Sequence, residues 1–220
     1  MSPRVSLAEA TREVARRDPA LAAIIERAGP CRLKANRDES GFFAELVESI
    51  MYQQLAGAAA AAIHGRFVTA IGGTVTPEAV LRTPEMEIRA AGVSGAKAAA
   101  VRDLAGKVAD GTVPLIGISR LGDDEIVERL VQVRGIGRWT AEMFLMFRLR
   151  RLDVWPVDDL GVRYGWALAH GLAETPKARA LEPEGDRFRP VRSVAAYYCW
   201  EAVHLHRAAP PARKEGRSSR

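Results

Sequence analysis

Residues 131–147 read VQVRGIGRWTAEMFLMF. Gly135 and Gly137 flank Ile136 in a turn, and a strongly apolar, helix-forming stretch follows at once. Two explanations serve. Gly135 can be the ordinary stop of a preceding helix, because glycine accepts positive φ at little steric cost. Alternatively the turn meets something bulky and anionic, and side chains have been kept away from it. The tripeptide alone does not choose between them; the sequence around it does.

Outward from the turn the pattern is helical almost everywhere. Upstream, Asp123 or Asp124 opens EIVERLVQV, which runs into the turn; downstream, WTAEMFLMFRLRRLDVW leads to a helix expected over 158–170 and a last one over 190–206. Nearer the start, Asp18-Pro19 offers an N-cap with proline at the first helical position, and ALAAIIERAG ends at Gly29. Ser40 is the expected cap of GFFAELVESIMYQQ, in which Phe43, Leu46, Val47 and Ile50 share a face at i, i+3, i+4 and i+7. Alanine-rich LAGAAAAAIHGRFVTAIGG favours helix and close packing. Short helices are expected over 76–82 and 84–91, and SGAKAAAVRDLAGKVADG forms another that stops at Gly111. No convincing alternating strand and no repeat occurs. The expected fold is all-α, as two packed helical lobes.

Composition narrows the class. With 48% hydrophobic and 27% charged residues the 220-residue chain is that of a globular protein able to bury a core. No apolar run approaches the roughly 18–20 residues of a membrane span, and MSPRVSLAEATREVARRD lacks a signal-peptide core. A cytoplasmic monomer is the expectation. Cys31 and Cys199 are too few for a disulfide framework or a four-cysteine metal site. The formal charge of +5 is concentrated in residues 207–220, where five basic groups outweigh Glu215 and leave the body near +1. That segment, RAAPPARKEGRSSR, reads as a basic, disordered tail behind a single domain of residues 1–206. Bulk charge therefore says little about nucleic acid, and any DNA surface on the body must be local.

The order EIVERLVQV, RGIG, RWTAEMFLMF and DVWPVDDLGVR resembles the helix-hairpin-helix motif and aspartate-bearing loop of base-excision DNA glycosylases, nearest to the 3-methyladenine DNA glycosylase II type. SIMYQQLAGAAAAAI is similar to that family's wedge segment, GVSGAKAAAVRDLA to the helix after it, and RPVRSVAAYYCW to its C-terminal pocket helix. The resemblance spans roughly residues 40–205 and implies an all-α fold of two helical lobes, with a helix-hairpin-helix motif and a cleft for DNA and base between them. Some forty residues that read as helical precede the wedge, which implies a compact form without the β-rich N-terminal domain of the larger relative.

The resemblance implies a site, and chemistry explains each part of it. Asp159 matches the catalytic carboxylate. Hydrolysis of an N-glycosidic bond builds positive charge on the sugar, which a fixed anion stabilises, and the same group can orient or deprotonate water. Asp158 is read as a helix cap instead, and capping by Asp159 can coexist with catalysis. Trp139 stands where strand-cleaving relatives carry the lysine that forms a Schiff base, so the implied enzyme is monofunctional and uses water. Trp139 and Trp200 match walls of the base pocket, suited to a cationic alkylated purine of the 3-methyladenine or 7-methylguanine type; for each, core packing is the competing reading. Met143 replaces a family tyrosine in that pocket, and Tyr52 faces either pocket or core. A base in a duplex must be rotated out and its gap filled; Gln54 is the implied wedge, in place of a leucine, with Gln53 and Leu55 beside it.

Around the hairpin, Gly135 and Gly137 let a phosphate oxygen approach the N-terminus of the second helix, with Arg134, in place of a proline, and Arg138 as further phosphate contacts. Backbone carbonyls of Val131, Val133 and Ile136 match the family's monovalent cation site, for Na or K. No cofactor is otherwise implied, and the partner is double-stranded DNA holding a damaged base. His204 and His206 point apart on one helix and His64 and His170 are isolated, so zinc is not expected. Lys97 reads either as a solvated helix charge or as a phosphate contact, and Cys199 packs. Arg163 is a further phosphate-binding candidate. Two other classes stay open: a related glycosylase for mismatched or oxidised bases, and a non-catalytic helix-hairpin-helix binder of damaged DNA.

Overall fold

A computed structural model of the chain describes residues 5–33, 39–55 and 57–208. Among them lie twelve α-helices, three short 3-10 turns and no strand. The basic segment 209–220 falls outside the described residues, and the last helix extends through Ala208, past its expected end. The helices group into two compact units, one of residues up to Leu33 and from Trp155 onward, the other continuous from Lys34 to Val154.

The first unit joins the two ends of the chain. Its α1 (Leu7–Arg17) lies in the stretch that reads as helical; Ser6 and Glu9 mark its start with a reciprocal capping box, and Ala10 and Val14 supply a buried face one turn apart. Asp18 caps α2 (Pro19–Ala28) by accepting the Leu21 N–H, and Gly29 ends it at φ 78°, both as the sequence indicates. These helices pack with α10 (Leu160–Ala169) and α12 (Arg192–Ala208), while the short α11 (Ala178–Leu181) and a 3-10 turn over Pro183–Phe188 bridge the interval. Tyr198, Phe188 and Leu21 are fully buried in this core. Trp155 is buried too, its indole N–H donating to the Leu181 carbonyl at 3.0 Å. Gly165 sets how closely α10 approaches α12, because a Cβ there would fall on the Cys199 carbonyl.

The second unit holds α3 (Phe42–Tyr52), α4 (Gly57–Ala70), α5 (Pro77–Arg82), α6 (Glu85–Ala90), α7 (Gly95–Ala109), α8 (Asp123–Leu130) and α9 (Arg138–Phe147). The predicted face of Phe43, Leu46, Val47 and Ile50 is buried, and Phe42 meets Phe144 edge-on at 5.1 Å between centroids. Two expected caps differ. Ser40 does not open α3; it sits in a 3-10 turn whose Glu39 carboxylate accepts the Gly117 N–H at 2.7 Å, and Gly41 occupies the N-cap without a side-chain bond. Gly122, not either aspartate, is the N-cap of α8. Asp123 and Asp124 lie in its first turn, where their charge favours the positive end of the helix.

Candidate active site and DNA-contact elements

In the first unit the chain turns at Trp155–Asp159, with the Asp159 N–H donating to the Pro156 carbonyl at 3.0 Å, and enters α10. Asp159 is the N-cap: its Oδ1 accepts the Val162 N–H at 2.8 Å. The same oxygen accepts the Trp200 indole N–H from α12 at 2.9 Å. A half-exposed carboxylate is thus fixed by two donors from different helices. Asp158, expected to cap, is exposed and lies one residue outside the helix; the cap bond is made by Asp159. Trp200 accordingly orients the carboxylate as well as offering a ring.

Gly161 is a site residue that the sequence did not single out. A Cβ there would lie 2.9 Å from Trp200 Cδ1 and 3.0 Å from Asp159 Oδ1. Only a residue without a side chain lets the indole reach the carboxylate. Gly161→Ala should therefore displace the ring and slow single-turnover base release about three- to tenfold, as small misplacements at a reacting centre do. Unchanged rates would show that the Trp200 bond is dispensable.

The helix-hairpin-helix lies in the second unit. α8 ends at Leu130, tight turns follow with Val133 N–H to Leu130 O at 3.1 Å and Ile136 N–H to Val133 O at 3.0 Å, and α9 begins at Arg138. Gly135 has φ 81°, and a Cβ on it would sit 3.2 Å from the Ala100 Cβ. α8 has already ended at Leu130 with Val131 as its C-cap, so Gly135 is not the stop of that helix; its positive φ favours glycine, and Ala100 of α7 lies against it. Gly137 is the extended N-cap of α9 and has nothing within 4 Å of its Cβ position. Such an end accepts an anion through N–H groups and dipole. Arg134 donates its backbone N–H to Asp103 Oδ2 at 2.7 Å and presents an exposed side chain. The guanidinium of Arg138 is anchored through Nε to the buried Glu142 at 3.0 Å while most of it faces solvent. Trp139 is 43% exposed, which rules out simple core packing for this tryptophan, and Met143 is half-buried one turn on.

The wedge segment leaves α3 in the same unit. Gln53 is the C-cap, Gln54 takes φ 57°, and Leu55 is 40% exposed. The left-handed conformation is uncommon for a residue with a side chain, and here it turns an exposed glutamine and leucine outward at a helix end. Gln53 does something else: its side-chain amide donates to the Gly135 carbonyl at 3.0 Å, tying this segment to the hairpin. Tyr52 is half-buried and meets His64 edge-on. Lys97 fits neither of its two expected roles. Its ammonium donates to the carbonyls of Met51 at 2.6 Å and Gln53 at 2.8 Å, and burial lowers its pKa.

The remaining candidates are structural. His170 stacks on Trp166 and bonds the buried Asp18 through Nε2 at 3.0 Å. His204 pairs with Glu201, and no cluster of three metal-ligating side chains occurs among the described residues. Arg163 donates to the Pro176 carbonyl at 3.4 Å. Cys199 is buried, which pushes its thiol pKa up. None of the described helices is long and apolar enough to cross a membrane.

Residues 47–190 match the HhH-GPD superfamily base excision DNA repair proteins. The "DNA-3-methyladenine glycosylase 1" of Schizosaccharomyces pombe is 34% identical over 194 residues, 86% of this chain and 85% of that one. The structure of the S. pombe 3-methyladenine DNA glycosylase Mag1 in complex with abasic DNA aligns over 92% of this chain and 100% of its own, with a TM-score of 0.78 and 30% identity. A DNA-3-methyladenine glycosidase from Bacillus halodurans aligns over 90% and 91% of the two chains, with a TM-score of 0.82 and 33% identity. This chain belongs to the HhH-GPD superfamily.

Proposed function

We propose that the protein is a monofunctional DNA glycosylase. It binds duplex DNA, flips out an alkylated purine of the 3-methyladenine or 7-methylguanine type, and hydrolyses its N-glycosidic bond to start base excision repair. The observation that carries this reading is Asp159, an anion pinned by the Val162 N–H and the Trp200 indole. As the purine departs with its electron pair, the sugar becomes cationic; the carboxylate stabilises that charge and directs water to C1′, leaving an abasic site and a free base. An alkylated purine is already positively charged, so it leaves without protonation, and aromatic faces attract it. The relatives' names support this substrate class.

In the second unit, Gly135 and Gly137 admit a phosphate to the start of α9, with Arg134 and Arg138 as flanking cations, while Gln54 and Leu55 fill the space that the base vacates. The carbonyls of Val131, Val133 and Ile136 would hold a monovalent cation such as Na or K. They are neutral oxygen donors of the kind hard cations take, and the Val133 oxygen, already accepting one N–H, keeps a second lone pair. Such a cation would add positive charge at the phosphate. We place the enzyme in the cytoplasm, acting as a monomer. Trp139 supplies aromatic surface to the base, and no amine at that position can attack C1′, so strand cleavage is not part of the reaction.

The test is incubation with methylated duplex DNA and identification of the bases freed. Free 3-methyladenine or 7-methylguanine is expected, with no borohydride-trapped complex; release of no base would overturn the proposal. Trp139→Ala should slow release about tenfold or more, since a base–aromatic contact contributes ~1–3 kcal/mol. The ring is exposed, so melting temperature should barely move. A large loss of stability with normal turnover would return Trp139 to a packing role.

A further inference from the structure

We infer that α7 is a strut holding the base-flipping segment in register with the phosphate-gripping hairpin, and that Lys97 is its positioning residue, fixing the end of α3 through the Met51 and Gln53 carbonyls. The inference rests on the glycosylase reading above and adds a role for residues that touch no substrate.

Three ties from one helix carry it. At its first turn, Lys97 holds two carbonyls at the end of α3, at 2.6 and 2.8 Å. The intervening Tyr52 carbonyl accepts the Leu55 N–H at 3.4 Å, so the carbonyls of residues 51, 52 and 53 are all engaged as the chain turns into Gln54. A cation at a helix C-terminus also meets the negative end of the dipole. Three residues on, Ala100 packs against Gly135, its Cβ 3.2 Å from where a Cβ on that glycine would sit. Three further on, Asp103 accepts the Arg134 N–H at 2.7 Å. Burial works against the Asp103 carboxylate, but bonds from Lys107 and the Arg134 N–H outweigh it and hold its pKa below the usual value. Gln53 closes the circuit: its carbonyl belongs to Lys97, and its amide reaches Gly135.

The consequence is mechanical. A side chain that fills a vacated base stack is useful only at a set distance from the phosphates being held. Gln54 and Leu55 extend from a helix end that would otherwise fray, and Lys97 removes that freedom. The strut therefore matters for getting the base out of the stack, not for the hydrolysis that follows.

A strand with one adenine and one guanine among pyrimidines is treated with a methylating agent. It is then annealed either to its full complement or to a strand with abasic analogues opposite both purines. Flipping costs less in the second duplex, where the target base has no pairing partner. Single-turnover base release is measured for the wild type, Lys97→Met and Lys97→Arg, with melting temperatures alongside. Lys97→Met should lose about tenfold or more on the paired duplex and recover most of that loss on the unpaired one, while Lys97→Arg, which keeps donors and charge, falls between. Asp103→Ala, which cuts the other tie, should give the same pattern and stands in should Lys97→Met not fold. An equal loss on both duplexes, or no loss on either, overturns the strut. A wild type inactive on both overturns the glycosylase reading and this inference with it.

Discussion

Asp159→Asn should abolish most base release, slowing the single-turnover step by about 10²–10³-fold or more, the scale at which a preorganised electrostatic partner is lost. The substitution is a clean one in this site. Asparagine keeps an oxygen at Oδ1, so the bonds from the Val162 N–H and the Trp200 indole can both survive while the charge disappears. Melting temperature should hold nearly constant, and affinity for methylated DNA should stay equal or rise, because a negative charge has been removed from a protein that binds phosphates. Asp158→Asn is the matched control: its side chain is exposed, and the cap is made by its neighbour. Full activity in Asp159→Asn, or equal losses in the two variants, would remove the carboxylate from the mechanism.

Gly165→Ala should be the most damaging single change to the fold. The Cβ it adds would land on the Cys199 carbonyl, and the neighbouring atoms are backbone as well, so no rotamer change can make room. α10 and α12 must separate or bend, and the expected cost is about 3 kcal/mol or more, at the upper end for overpacking. In a chain of this size that lowers the melting temperature by about 6–12 °C. The displaced segment includes Trp200, adjacent to Cys199, so surviving protein should also be slow. Gly106→Ala provides the contrast. It sits inside α7 with nothing within 4 Å of its Cβ position, and alanine there should stabilise by roughly 0.5–1 kcal/mol. A Gly165→Ala protein that melts with the wild type would mean the two helices are not held at this distance.

Local rules made most of the helices legible: periodic apolar faces, the Asp18-Pro19 start, glycine stops at Gly29 and Gly111, and the Gly-Ile-Gly turn itself. Asp159 stands out in the sequence by its place in a motif, and the structure shows it capping α10, a role the sequence also allows it. What escaped was set by tertiary partners. Ser40 has the chemistry of a cap, but Glu39 fixes that turn by bonds to residues near 117. Lys97 looks like any surface lysine until α3 is seen to end against it. Gly161 and Gly165 look like weak points in a helix until α12 is laid beside them. Ser6-Leu7-Ala8-Glu9 was the one overlooked local signal; its capping-box spacing announces α1.

The first unit takes α1 and α2 from the start of the chain and α10 and α12 from the end, and the Tyr198 hydroxyl donates to the Gly29 carbonyl at 2.9 Å across that separation. During synthesis, at roughly 5–20 residues per second, the two opening helices therefore emerge long before the surfaces they cover have been made. The uninterrupted stretch can fold while those two amphipathic helices still lack the surfaces they will cover. A chain whose synthesis stops between Val154 and Asp159 would therefore carry the whole hairpin unit but neither the capping aspartate nor the helices that α1 and α2 cover.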